Sequence, residues 1–578
     1  MKRYPQPYWL LLLAILLFAE LVVITNGQSF TEVFGGFAVW TFVLLVMALA
    51  CLLTFYLCRW HGVRRTFFVF GCIALAVTLF YAEEDVRGWH AWHKFQQQAM
   101  AAGEKLDFAS VIPPPMPADQ NFAMSPIVVS SYAAHLDTNG RAISPPLTNV
   151  VNRLAMNIYR NQDWPHSPTN GFWPQGTVTD LKSWQLYFAT PPTNSVTNEF
   201  PVPSQPASAA AAVLFGLGNF DSAIEELRAA AQLPQSRFPI NYDAQPPYGA
   251  LIPHLSPLKR CSQVLQLRAL AELETGHPDQ AVADIQLAFR VMDATRSEPL
   301  LISHLVRLAQ FSLTLQPIFE GLARHQWSAT QLMELEATLA QLDFLADCQL
   351  AMRSERNEAL TTIDYLRQKT SDSKFMTVLI EPQILLDDEN EGGINWTVIL
   401  ATTCYELAPA GWYWLNQALI GELYQRWDLR ICDPEKHLVS PSLVKQADEA
   451  LESEVVSWRP WNCFAGLLMP AVTASEIKFA FAQNSVGLAR IACALERYRL
   501  ANGMYPDSLA QLSPQFLQAI PHDLITGQPL KCRLTHDGRF LLYSVGWNEV
   551  DDGGKVGLKS SGYFDIKTGD WLWQYPKN

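Results

Sequence analysis

The sequence predicts a membrane-anchored, mainly α-helical protein: three transmembrane helices, a helical, repeat-like middle region and a small α+β unit at the C-terminal end. Three observations predict it. Apolar runs occupy residues 8–24, 37–58 and 67–82, and a helix crossing a bilayer core needs about 20 mostly apolar residues. Apolar residues recur at helical spacing through much of 207–368. Near the C-terminus a long helical stripe is followed by hairpin-type turns. The implied division is 1–82 transmembrane, 83–110 juxtamembrane helix, 111–206 a Pro- and Trp-rich wrapping segment, 207–440 helical, and 441–578 the α+β unit.

With 578 residues the chain exceeds what one core usually supports, so two or three folded units are expected beyond the membrane part. Its formal charge of -13 and its lack of a Lys/Arg-rich run remove the footprint that phosphate binding needs, which excludes nucleic acid as a partner class. Lys2 and Arg3 precede the first apolar run, and Arg59, Arg64 and Arg65 separate the second from the third, whereas the 26–36 loop has no basic residue. By the positive-inside rule the N-terminus faces the cytoplasm and everything after Tyr81 faces outward, into a periplasm. A cleaved signal peptide is the alternative for the first run, but no small-residue cleavage pattern follows it closely. Glu20 near the end of that run is placed to snorkel. Of ten cysteines, Cys51, Cys58 and Cys72 fall in apolar runs and the rest are widely spaced without a C-x-x-C. They read as buried thiols, with one structural bridge if the compartment is oxidising.

In order along the chain, the third apolar run continues as a helix to residue 106, with Trp89, Trp92 and Phe95 at helical spacing. His90 and His93 stand at i, i+3, a spacing that suits a metal, but no third ligand is nearby in sequence; Trp residues at a membrane interface with solvated histidines are the plainer reading. The prolines of VIPPPMPADQNF break that helix. Trp164, Trp173 and Trp184 then argue for an ordered wrapping segment, interrupted by a short helix over 147–159. Amphipathic helices follow over 298–325 and 328–368, the second opened by the start signal SATQ. The acidic stretch 387–393 reads as a solvated loop. Residues 394–427 are apolar enough to be weighed as a fourth span, but Glu406, Pro409 and Asn416 interrupt them and favour a buried or surface-lying helix pair.

Two stretches, 217–234 and 274–293, resemble the second half of a tetratricopeptide repeat, with Gly218 or Gly276 in the turn and Ala223, Ala230, Ala281 and Ala288 where paired helices approach. They do not follow at a 34-residue period, Arg268 falls where an apolar residue is expected, and generic helical hairpins are the alternative.

In the C-terminal unit Ile477, Phe481, Leu488, Ile491, Leu495 and Tyr498 form one stripe on a helix over 474–501. PLKCRL and RFLLYSV flank the turn THDG, and SGYFDI and WLWQY flank KTGD, so two hairpins are expected to cover that stripe. The order of this helix, YPDSL, the phrase from Asp523 to Leu530, LLYSVGWNEVDDGG and FDIKTGDWLW resembles the soluble domain of the major pseudopilin of type II secretion. Most of the chain, including RGWHAWHKF and IPPPMPADQNFAMSPIV, is similar to a group of bacterial multi-pass membrane proteins. The pseudopilin resemblance implies a calcium ion holding the final loop, with Asp551, Asp552 and Asp565 as ligands. Read from the residues alone, the same loop is an Asp-Gly turn. The residues ahead of 474 are too short and interrupted to span a membrane, so the unit cannot enter a filament as a pilin does.

No G-x-S-x-G, H-E-x-x-H, Walker or G-x-G-x-x-G phrase occurs. His304, with Glu298 or Glu320, is the one hydrolase-like grouping, and a lone helical histidine is more often structural. The expected function is therefore a bacterial inner-membrane protein with a large periplasmic region, contacting the bilayer and serving as a non-catalytic scaffold for envelope or secretion-related proteins. The alternatives are a membrane-anchored hydrolase of envelope material and an accessory component of a secretion or pilus-like apparatus.

Overall fold

Why the chain folds as it does is clearest at its longest helix, α1 (Val63–Ala101), in the computed structural model. The structure describes residues 63–133, 152–159, 168–191, 199–244, 248–368, 408–451, 453–454, 460–469 and 473–576. The apolar runs 8–24 and 37–58 and the acidic stretch 387–393 lie outside them. Among the described residues no helix is long and apolar enough to cross a membrane. This corrects the expected transmembrane architecture where it can be compared: residues 67–82 are the first part of α1, and Glu83, Glu84 and Asp85 cut the apolar run short of the length a bilayer core requires.

Those acids have a packing role instead. The N–H of Gly411 donates to Asp85 Oδ1 at 2.7 Å and Trp412 Nε1 donates to Glu84 Oε2 at 3.0 Å, anchoring the start of a helix packed against α1. A Cβ on Gly411 would lie 1.9 Å from the Glu84 carbonyl oxygen, and one on Gly88 would lie 2.0 Å from the Gly411 oxygen. The backbones therefore touch, which only glycine permits. The partner helix lies within 394–427, where a buried or surface-lying helix pair is expected and of which residues 394–407 lie outside the described ones, and its Asn416 bridges the carbonyls of Trp412 and Trp461 at 2.7 and 2.6 Å.

The remaining helices are α2 (Pro126–Tyr132), α3 (Leu181–Ala189), α4 (Ala209–Leu217), α5 (Asp221–Ala230), α6 (Leu255–Glu274), α7 (Pro278–Asp293), α8 (Leu301–Ala323), α9 (Ala329–Leu339), α10 (Phe344–Arg367), α11 (Ala410–Leu423, the partner of α1), α12 (Pro441–Leu451), α13 (Cys463–Leu468) and α14 (Thr473–Asn502). The SATQ signal closes a capping box: the Gln331 N–H donates to Ser328 Oγ at 3.3 Å and the Ser328 N–H to Gln331 Oε1 at 2.9 Å. The helix expected over 328–368 is two helices, because the Asp343 carboxylate accepts from the N–H groups of Leu345 and Ala346 and starts α10 afresh. Residues 152–159 are a turn and extended chain rather than a helix. Leu154, Met156 and Ile158 are buried at alternate positions, the two-residue period of extended backbone.

Two cores result. One lies between the wrapping segment and α4–α7, and the larger runs from Trp92 on α1 through α7–α11 and α14 to Trp573. Helices α6 and α7 supply both, with opposite faces apolar. Arg268, the residue out of pattern in the repeat-like stretch, is explained by Asp284. This fully buried carboxylate on α7 contacts Arg228 of α5 and lies 3.2 Å from Arg268 Nε, so one anion ties three helices. Burial pushes Asp284 up to about 6 against the pull of both guanidiniums.

At the C-terminal end α14 packs on a three-stranded antiparallel sheet, β3 (Lys531–Leu534), β4 (Phe540–Ser544) and β7 (Trp571–Trp573), in the order β3-β4-β7. Two further pairs, β1 (Cys432–Asp433) with β2 (Leu438–Val439) and β5 (Val556–Leu558) with β6 (Phe564–Gly569), complete the strands. The KTGD hairpin is not formed as expected: β6 pairs with β5, while β7 joins β4. The switch occurs at Gly569, with φ of 67°, and Asp570, whose fully buried carboxylate accepts from the N–H groups of Asp552, Gly554 and Lys555. The stripe on α14 is covered by helices α8–α10 as well as by the sheet. Trp173 of the wrapping segment inserts between them, stacked 5.7 Å from Phe481 and tilted against Trp573 at 5.6 Å.

Candidate functional site

Residues 104–107 leave α1 as an irregular strap, and α10 holds it with three polar side chains. Arg356, fully buried, donates to Glu104 Oε2 at 3.0 Å and to the Lys105 carbonyl at 2.9 Å. Arg353 reaches Glu104 at 3.3 Å, and Asn357 donates to the carbonyls of Lys105 and Asp107 at 3.1 and 3.0 Å. The two guanidiniums hold Glu104 below the usual carboxylate range despite partial burial. The next residue of α10, Glu358, turns to the other side and accepts the N–H of Tyr248 at 3.0 Å. Tyr248 sits at φ of 62°, a left-handed conformation that a bulky residue adopts only where its surroundings fix it.

Between strap and helix lies a cleft of about 650 Å³. Trp92, Phe108, Tyr242 and Tyr248 give it aromatic walls; Asp107, Asp243, Glu358 and Asp364 line it with carboxyl groups, against Lys105 as the facing cation. Asp364 contacts Arg367 at 3.2 Å, whereas the Asp107 and Asp243 carboxylates meet no cation among the described residues. Glu358 is pushed up to about 8, first by burial and then by the charge of Glu355 one turn away. Burial pushes Glu355 up to about 7 against the Leu301 N–H that it accepts. The cleft thus presents the carboxyl groups of Asp107, Asp243 and Asp364 and, at neutral pH, Glu358 as a carboxylic acid that can donate a hydrogen bond.

Tyr424 is buried close to Glu355, Tyr248, Asp428 and Glu476. Burial pushes Asp428 up to about 7 and raises Glu476 well above the ordinary carboxylate range, and neither Glu476 oxygen has a hydrogen-bond partner among the described residues.

The residues singled out from the sequence are placed elsewhere. Asp551 pairs with Lys531 at 2.8 Å and accepts the Gly553 N–H; Asp552 accepts from Asn548 Nδ2 at 2.9 Å; Asp565, on β6, accepts from the Lys567 N–H and the Thr568 hydroxyl. Their oxygens are engaged separately, and the loop is organised by Asp570, which the sequence reading did not single out. Among the described residues no group of three His, Cys, Asp or Glu side chains is arranged to hold a metal ion. His93 Nδ1 donates to the Trp89 carbonyl, 2.8 Å away, and its ring lies tilted against Trp89 with centroids 4.2 Å apart.

His304 is fully buried with no hydrogen bond to either ring nitrogen, and burial and Arg307 push it down to about 3. Glu320 accepts instead from the Thr179 N–H and Gln316 Nε2, both at 2.9 Å. Glu298 joins a different histidine, His254 Nε2 at 2.8 Å, and accepts the Ser303 hydroxyl. The order is histidine, carboxylate, serine. Because the carboxylate stands between the other two, the imidazole cannot take the serine proton, as nucleophilic hydrolysis requires. This trio is a buried pin between the start of α6 and the start of α8.

No protein-family model matches the chain, and neither a curated protein nor a solved structure matches it.

Proposed function

We propose that the protein is a binding scaffold whose 104–112 cleft docks a partner segment carrying a lysine or arginine beside an apolar side chain. The observation that carries this reading is the pairing of aromatic walls with the Asp107 and Asp243 carboxylates, which meet no cation among the described residues. A guanidinium or ammonium gains from both, through charge and through the aromatic face. The strap is fixed from below by Arg353, Arg356 and Asn357, so the recognition surface is preorganised and less ordering entropy opposes binding.

Binding of a fluorescent Lys/Leu peptide and of its Glu/Leu counterpart to the full chain tests this. The basic peptide should bind, with affinity falling as salt rises, and the double substitution Asp107→Asn, Asp243→Asn should weaken it about tenfold or more. Equal binding of both peptides, or no change in the double variant, refutes the reading.

A hydrolase is the second reading, favoured by one observation: Glu355 and Glu358 stand together with proton affinities near neutrality, as general acid–base pairs do. Turnover of envelope glycan that is abolished by Glu358→Gln while peptide binding persists would select it.

A further inference from the structure

We propose that Cys348 and Cys432 form a disulfide that fastens α10 to the β1–β2 hairpin. Cys348 lies on the fully buried face of α10, and Cys432 opens β1, also buried. Both are free thiols in this structure and lie near enough for Cys432 to act on the Cys348 proton. The approach is set by the backbone around them. Gln349, next to Cys348, donates through Nε2 to the carbonyls of Leu429 and Cys432, each at 2.7 Å, so the helix and the hairpin are clamped one residue from the sulfurs. On the other side Cys432 is registered against Val439, and the Ser440 N–H donates to the Ile431 carbonyl at 3.0 Å.

A metal is the other reason to gather thiols beside the carboxyl of Glu476, but no three such donors are arranged for one. Two thiols alone in contact are suited to oxidation. The step is a thiol–disulfide exchange with a small external disulfide, for which oxidised glutathione is the probe. The thiolate of one cysteine attacks a glutathione sulfur and releases one glutathione thiolate. The second cysteine, after losing its proton, attacks the mixed disulfide and releases the other. Two protein thiols are oxidised to one disulfide, and one glutathione disulfide is reduced to two thiols, which take up the two protons. Once the core has closed, burial keeps the Cys348 thiol protonated far above the ordinary thiol range. The exchange therefore belongs to folding, before α10 and the hairpin meet.

The test is to unfold and reduce the full chain, refold it with a mixture of reduced and oxidised glutathione, alkylate the remaining thiols without reduction, and map the digest by mass spectrometry. A linked peptide pair containing Cys348 and Cys432 should account for most of both residues. Near-complete alkylation of both, or their linkage to other cysteines, overturns the proposal. As a second readout, wild type refolded with oxidant should unfold at a higher urea concentration than wild type refolded with reductant. The double variant Cys348→Ala, Cys432→Ala should show no such difference, and an equal shift in that variant overturns the proposal as well.

Discussion

Raising the pH through neutrality should destabilise this fold, and Glu358 should carry a resolvable share of the loss. Its carboxyl is pushed from 4.5 up to about 8. Between those values the folded chain keeps a proton that the unfolded chain has released. The stabilisation is complete below the lower value and gone above the upper one, and the loss runs at about 1.4 kcal/mol per pH unit for each such group. Glu355 and Asp428, at about 7, add to the slope up to neutrality, and Asp284 and Asp347, at about 6, stop contributing earlier. His304 acts oppositely: it is neutral in the fold down to about 3, so stability gains with pH only until the ordinary histidine value of 6.5 is passed. Glu104 and Glu496, both lowered, act in the acid range. From about pH 7 to about pH 8 Glu358 still holds its proton in the fold, and burial raises Glu476 in the same direction. Urea unfolding followed by far-UV circular dichroism at both pH values, for wild type and Glu358→Gln, isolates the first. The glutamine keeps an oxygen for the Tyr248 N–H. Wild type should lose about 1 kcal/mol more than the variant across that interval. Parallel slopes, or stability that rises with pH, would refute the assignment of Glu358 as a neutral acid.

Three further outcomes follow from packing. Gly411→Ala places a methyl inside the α1–α11 backbone contact, so the helices must separate; a cost of about 3 kcal/mol or more is expected as a lowered urea midpoint. Asp570→Ala leaves the N–H groups of Asp552, Gly554 and Lys555 without their acceptor, and should cost about 2–4 kcal/mol and speed amide exchange in the 550–556 loop, read by mass spectrometry. Trp173→Ala empties the stack on Phe481 and Trp573, with an expected loss of about 3–5 kcal/mol in the same unfolding assay.

Periodicity made much of the helical layout legible. The C-terminal helix, read as 474–501, runs Thr473–Asn502, because its stripe and the Asn-Gly stop are both local signals. Residues 67–82 read as a span for an equally local reason, the apolar run itself; what marks its end, the grip of Glu84 and Asp85 on α11, is made more than three hundred positions away. The KTGD turn failed similarly, since its flanking strands each had a better partner elsewhere and Asp570 fixed the crossing.

The cleft was illegible for a stronger version of the same reason. Glu104 and Arg356 are separated by 252 positions, and neither is unusual in its own surroundings. Yet one kind of signal was available. Arg268 was conspicuous as a charge at an apolar position, and the structure gives it a buried anion in Asp284. By the same logic Glu358 and Asn357 lie on the buried part of α10, where apolar residues belong. Burying such groups is costly unless a partner meets them, so each out-of-pattern polar residue points to a distant partner. On α10 those partners are the strap and Tyr248, the two edges of the cleft. Polar residues that break an apolar stripe are therefore better guides to the site in this chain than the histidines and aspartates whose chemistry drew attention first. His304 and Asp565 had reactive side chains; Glu358 had a reactive side chain in a place where solvation could not account for it.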